Sequence, residues 1–222
     1  MKTTPIIAAA VVAGLSSGAT AGLTWHQPGA TAYTAASDGP WNATAADFSY
    51  FYLENFEQGA VVVPGLDLDG GAIRAPGAFT DSVDEDDGAV DGFGTFGRSF
   101  WNIGDGVTSV LRFDADELGA LPTHAGLVWT DGNRAADVTF EAFDAAGVSL
   151  GSFIAQLGDD FGNGTTGEDR FLGVEFTGGV SRIEITTSLG GLEFDHVQFG
   201  LIPAPPAFAL LAGLALARRR RR

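Results

Sequence analysis

Apolar and polar residues alternate with a period of two in one stretch after another of this 222-residue chain. In SVLRFDA, Leu111 and Phe113 oppose Arg112 and Asp114, and in DVTFEAF, Val138, Phe140 and Ala142 oppose Thr139 and Glu141. RFLGVEF and SRIEITT repeat the pattern through Leu172, Val174, Phe176, Ile183 and Ile185. A period of two places one set of side chains on one face of a strand, so these stretches predict half-buried β-strands rather than helices. YFYLENFE and HAGLVWT are apolar on both parities, as strands covered on both faces are. Further strands are predicted at 60–68, 98–103, 147–157 and 191–199, and only DADELGALP, Asp114 to Pro122, offers a helical turn. The 32 glycines are scattered between these runs, which suits frequent turns. The expectation is an all-β, antiparallel sandwich of jelly-roll type over 48–201, without internal repeats or a second domain. An Ala/Thr/Gly-rich stretch within 22–47 predicts a loose N-terminal arm.

Hydrophobic residues make up 45% of the chain and cysteine is absent, so a packed core, alone or with a bound ion, must stabilise the fold without disulfides. Between the first 21 residues and the last five, six arginines face 28 acids, a balance of −22. Such a surface repels nucleic acid and anionic membrane, so neither is an expected partner. It fits solubility in a salty medium or a demand for divalent cations.

Both ends read as addresses. MKTTPIIAAAVVAGLSSGATA combines an early lysine, a short apolar run and a small-residue ending, which predicts a signal helix over 1–21. Signal peptidase would cut after Ala21, with Ala19 as the other small recognition residue. Residues 202–222 read PAPPAFALLAGLALARRRRR after Ile202. As a helix, the run from Ile202 to Ala217 would be about 24 Å long, short of a hydrocarbon core of ~30 Å. The arginines would stay cytoplasmic and leave the body outside. A transient inner-membrane tether is therefore expected, with a permanent tail anchor as the alternative.

The order Pro203-Ala204-Pro205, a short hydrophobic helix, then Arg218, Arg219, Arg220, Arg221 and Arg222 resembles the PEP-CTERM sorting signal of bacterial surface and matrix proteins. The resemblance implies an exosortase-type sorting enzyme that removes the tail and delivers the body to the cell surface or extracellular matrix. The family's usual glutamate between the prolines is Ala204 here, which leaves the particular sorting enzyme open. Phrases such as ENFE, DSVDEDDG, VWTDG and FDHVQFG also resemble those of uncharacterised ectodomains bearing such tails.

Two familiar motifs lack the context that would give them meaning. GVSLG matches a nucleophile elbow, but Ser149 lies in an alternating strand where the elbow needs a strand, a sharp turn and a helix. GFGTFG lacks the strand and helix of a phosphate cradle. His26, His124 and His196 show no zinc-ligand spacing. The sequons at Asn42 and Asn163 fit exposed loops.

TDSVDEDDGAVDGFG is the densest chemistry in the chain. Asp81, Asp84, Glu85, Asp86, Asp87 and Asp91 supply hard oxygen ligands of the kind calcium takes, although Thr95 stands where an EF-hand would close with glutamate. A solvated acidic loop is the alternative reading. In LEFDHVQF, Asp195 shares parity with Val197 and Phe199, so it sits at a bulge or among apolar neighbours, where a carboxylate needs a cation or strong donors. The layout resembles jelly-roll carbohydrate-binding modules. That resemblance implies a structural calcium joining an early-strand acid, Glu54 or Glu57, to the last-strand Asp195. For glycan contact, Trp25 and Trp41, both in the N-terminal region, are the preferred aromatic platforms among the tryptophans and tyrosines.

The leading functional expectation is an exported, non-catalytic, calcium-stabilised surface or matrix protein associated with extracellular polysaccharide. The rival is a secreted carbohydrate-active enzyme, a glycoside hydrolase or lyase using Asp131 or Glu168-Asp169 as acid and base. A purely structural domain is the third expectation.

Overall fold

The computed structural model describes residues 22–41 and 46–203. The predicted signal segment, with Ala19 and Ala21, lies outside the described residues, as do Ala204, Pro205 and Arg218 to Arg222. No helix among the described residues is long and apolar enough to cross a membrane.

The described chain is an antiparallel β-sandwich. Its strands are β1 (Leu23–His26), β2 (Tyr50–Glu54), β3 (Leu66–Asp69), β4 (Ala72–Arg74), β5 (Ser99–Asn102), β6 (Thr108–Phe113), β7 (His124–Asp131), β8 (Ala136–Asp144), β9 (Ser149–Leu157), β10 (Arg170–Phe176), β11 (Val180–Thr187) and β12 (Leu192–Leu201). One sheet runs β1-β10-β7-β12-β5-β4 with β2 also paired to β12, and the other runs β3-β6-β11-β8-β9. Within them lie the orders β2-β12-β7-β10 and β6-β11-β8-β9, a jelly-roll arrangement. The single α-helical turn among the described residues, α1 (Ala115–Leu118), is capped by Asp114, whose side chain accepts from the amides of Asp116 and Glu117.

The alternation predicts the core correctly. Leu111, Phe113, Val138, Phe140, Ala142, Leu172, Val174, Ile183 and Ile185 are buried between the sheets with Trp129, Phe194 and Phe199. Removing each large apolar side chain of this set from water contributes about 1.5–3 kcal/mol.

Two expectations need correction, and one strand is not foreseen. The N-terminal arm is not loose: β1 pairs with β10 from Leu23 opposite Phe176 to His26 opposite Gly173, and Tyr33 and Trp41 are both 3% exposed. Small residues separate these anchors, so a compositional average hides them. The strand expected over 60–68 begins only at Leu66, because the amides of Val62 and Val63 donate to the Glu54 carboxylate instead of a ladder. The three-residue β4 follows the Gly70-Gly71 turn and carries too short a pattern to be read from sequence.

Candidate metal centre

The larger sheet has a second covered face. In β7 and β12 the residues alternating with core Trp129 and Phe194 are Val128, Thr130, Glu193 and Asp195, and all four are buried. The arm and the loop 75–97 cover them. Tyr33 of the arm and Val83 of the loop form a small apolar cluster with Val128 and Phe171. The loop is clasped to the 158–168 loop by Gly94 N to Gly164 O at 2.9 Å, Thr166 N to Gly92 O at 3.2 Å and a bridge between Phe93 and Thr165.

Under this cover the fold gathers carboxylates, and they divide by how they are satisfied. Asp84, 2% exposed, accepts the amides of Asp91 and Gly92 and the Thr166 hydroxyl. Glu54, 1% exposed, accepts the amides of Phe56, Val62 and Val63. Asp195 accepts from Val83 N at 3.0 Å and His196 N at 2.7 Å. Asp131 accepts from Gly132 N and Asn133 N.

Asp81 and Asp169 are both 0% exposed, and among the described residues neither oxygen of either carboxylate has a hydrogen-bond partner. Glu193 is half satisfied. Its Oε1 accepts from Asp81 N at 3.0 Å and from the Ser99 hydroxyl, while Oε2 has no hydrogen bond and lies 3.7 Å from Arg74 Nη1. Thr130 Oγ1 is also buried without a partner. Arg170 pairs with Trp129 in the ladder, so the next positions outward, Asp169 and Thr130, face each other, and Glu193 pairs with Asp131 on the other side of β7.

Burial, followed by the charges of neighbouring acids, holds Asp81 and Asp169 well above the usual carboxylate range. For Asp81 those neighbours are Glu193, Asp131, Glu168 and Asp195, and for Asp169 they are Asp81, Glu168, Asp195 and Asp84. Burial pushes Glu193 up to about 7 against its hydrogen bonds. Burial also raises Glu168 to about 7, helped by the charge of Asp159.

A second group lies beside this one. Carboxylate oxygens of Glu85 and Asp86 and a ring nitrogen of His196 all fall within 4.8 Å of one another. His196 occupies the bulge of β12 at φ 44°, a conformation few non-glycine residues adopt. Its ring lies 3.2 Å from the Tyr33 hydroxyl through Nδ1 and 2.9 Å from Asp86 Oδ2 through Nε2. Asp86 Oδ1 also accepts from Asn55 Nδ2, and Glu85 Oε1 from Ala36 N. This group has protein donors, which Asp81 and Asp169 lack.

The acidic loop therefore does not present its carboxylates together in one place. Asp81 and Asp195 reach the covered centre, Asp84 is taken by backbone donors and Asp86 pairs with His196. Asp87 caps the amide of Ala89 at the surface, and Asp91 is exposed. Glu57 accepts the amide of Arg98 at 2.5 Å. Sequence reasoning does not bring Asp169, Glu193 and Thr130 to this covered face. From sequence Asp169 reads as half of an acid–base pair with Glu168, beside Arg170, whose guanidinium donates to the carbonyls of Gly167 and Asp169. Glu193 carries a readable signal, because it shares the parity of Asp195 opposite Leu192 and Phe194.

Of the two glycan platforms expected, Trp41 is buried and Trp25 is half-buried. Trp41 is sealed edge-on against His26, His124 and Phe171 at centroid distances of 5.3, 5.5 and 5.1 Å, with its indole N–H 2.9 Å from Glu175. Trp25 packs on Phe140 and Phe153 at 6.2 and 5.7 Å. Among the described residues, the aromatic rings that face solvent are Phe79, Phe93, Phe96 and Phe161, all on the two clasped loops.

No family model matches the chain, and no curated protein matches it. Among solved structures, the cleaved adhesin domain of Lys-gingipain from Porphyromonas gingivalis is 13% identical, with a TM-score of 0.43 over 69% of this chain and 99% of that one. The enzymatically active domain of bacteriophage CBA120 tailspike protein 4 is 17% identical, with a TM-score of 0.31 over 69% of this chain and 20% of that one. The arabinose-bound MgGH51 α-L-arabinofuranosidase is 12% identical, with a TM-score of 0.39 over 80% of this chain and 31% of that one. These likenesses are of β-architecture and carry no argument about activity.

Proposed function

We propose that the protein is an exported, non-catalytic component of the cell surface or extracellular matrix. In this reading a signal peptidase removes the leader, an exosortase-type enzyme removes the PEP-CTERM-like tail, calcium stabilises the body, and the body associates with extracellular polysaccharide. One observation supports the non-catalytic part: of the three acids named for a hydrolytic pair, two are enclosed and Glu168 alone is half-buried, so no two of them stand open together. Asp131 and Asp169 are 2% and 0% exposed beneath the acidic loop, whereas glycosidase carboxylates must flank a bond of the sugar chain. The order of prolines, apolar run and arginines supports the sorting part. The exposed phenylalanines of the two clasped loops, rather than Trp25 and Trp41, are the surface this reading assigns to polysaccharide.

The test is the intact mass of protein recovered from the cell exterior, paired with incubation of that protein on native matrix polysaccharide. The expected result is a C-terminus near Pro203, retention on the polymer and no release of reducing ends. Exported protein that keeps Arg218 to Arg222, or that cleaves the polymer, overturns the reading.

A further inference from the structure

Glu54 and Asp84 show how this fold treats an interior acid whose role is purely structural, because backbone amides meet each of them. Asp81 and Asp169 are as deeply buried and receive no donor on any of their four oxygens. Among the described residues neither has an ion-pair partner, and the nearby guanidinium, Arg74, lies 3.7 Å from Glu193 Oε2. Burying a carboxylate without donors or a counter-charge is costly enough that one such group needs a reason, and here there are two. A single proton shared between the two acids would engage two of the four oxygens and leave the other two without donors.

We propose that Asp81 and Asp169, joined by the Thr130 hydroxyl that faces Asp169 across the ladder, hold a divalent, oxygen-preferring cation, calcium, between the outer face of the larger sheet and the loop laid over it. The donors come from three separate places: Asp81 from the loop, Asp169 from the entry to β10 and Thr130 from β7. All are oxygens, with no imidazole or thiolate, which selects a hard cation. Calcium accepts six to eight such ligands in loose geometry, while magnesium holds its waters and demands a near-regular octahedron. The two carboxylates are balanced in charge by one divalent ion, and the neighbouring Glu193 faces the Arg74 guanidinium. The ion fastens the 75–97 loop to the sheet, where Asp81 N already bonds Glu193. The site differs from the contiguous acidic string, most of whose members have protein donors.

This inference deepens the calcium part of the proposed function and depends on export only for the supply of the ion. The test is thermal unfolding of the purified full chain, stripped with chelator, in chelator and then with calcium chloride alone. At a free concentration 100 times Kd, stabilisation is about 2.7 kcal/mol. At about 2–4 °C per kcal/mol for a chain of this size, that is a rise in Tm of ~5–11 °C. Asp169→Asn and Asp81→Asn should lose this rise, yet melt in chelator at or above the parent temperature, because each leaves one acid where two repelled each other and gives that acid an amide N–H donor. Glu54→Gln should melt lower in both media and keep the rise. Equal melting of the parent with and without calcium overturns the site, and so does a full calcium response in Asp169→Asn. Neither result alters the mass of the sorted C-terminus, so the two proposals fail separately.

Discussion

Replacing Glu54 by glutamine tests whether the chain's interior acids are held as described. Glu54 closes β2 opposite Val197, and its carboxylate organises the turn that follows. Oε1 accepts the amide of Phe56 at 2.9 Å, and Oε2 accepts those of Val62 at 2.6 Å and Val63 at 3.1 Å. Glutamine has one acceptor oxygen. In its best orientation it keeps the two valine amides and turns an NH2 group towards Phe56 N–H, so a buried donor is orphaned at a cost of about 1–3 kcal/mol. The two surviving bonds weaken as well, because charge-assisted bonds of about 1.5–3 kcal/mol become neutral ones of about 0.5–1.5. Burying an amide in place of a charge returns part of this, and the net expectation is a loss of ~3 kcal/mol. Urea unfolding followed by tryptophan fluorescence measures it as a lower midpoint at unchanged slope. A loss below about 0.5 kcal/mol, within the range of ordinary surface substitutions, would refute the idea that backbone donors hold this carboxylate.

Trp41→Phe should cost about 2 kcal/mol, because it removes the buried N–H bond to Glu175 and part of an edge-packed ring, and should leave polysaccharide retention unchanged. Denaturant melts and a retention assay read the two effects. In Gly94→Ala the new Cβ would press on the Ser82 carbonyl and lie 2.9 Å from Asp81 Oδ1, so the loop should lift and become cleavable near 85–91 under limited proteolysis. Burial lowers the pKa of His124 despite the opposing charge of Glu175. Its folded form therefore binds fewer protons than the unfolded chain, and its contribution to stability is lost as pH falls from about 6.5 towards the lowered folded value. The gap in stability between the parent and His124→Asn should narrow over that window, as melts at stepped pH would show.

The period of two was enough to read the sandwich, because one-sided burial writes itself into every second residue of β6, β8, β10 and β11. The same rule could not say that the larger sheet is covered on its other face. That cover comes from Tyr33, Trp41 and Val83, single anchors set in polar or small-residue stretches, and no local pattern marks a segment that packs through one side chain. The acidic loop was legible as a place where oxygens gather, but not in its sorting of them. Asp84 and Asp81 are three residues apart and alike in sequence, and what separates them is the geometry of the loop and its partners. Asp84 meets the amides of Asp91 and Gly92, which the loop brings back to it. Asp81 has no such donor and lies among charges, Glu193 and Asp169 included, that only the finished sheet supplies.

The position of β12 has a mechanical consequence. It hydrogen-bonds β7, β2 and β5, so it lies inside the sheet, and the segment from Ile202 leads directly out of it. Tension applied through that segment would load an interior strand along its length, and neighbouring ladders would have to slip together before any one parted. An edge strand pulled in the same way would unzip bond by bond. The interior placement also means that the sheet closes only after its middle member arrives, so a chain halted before Leu192 during synthesis leaves β2 and β7 with open flanks.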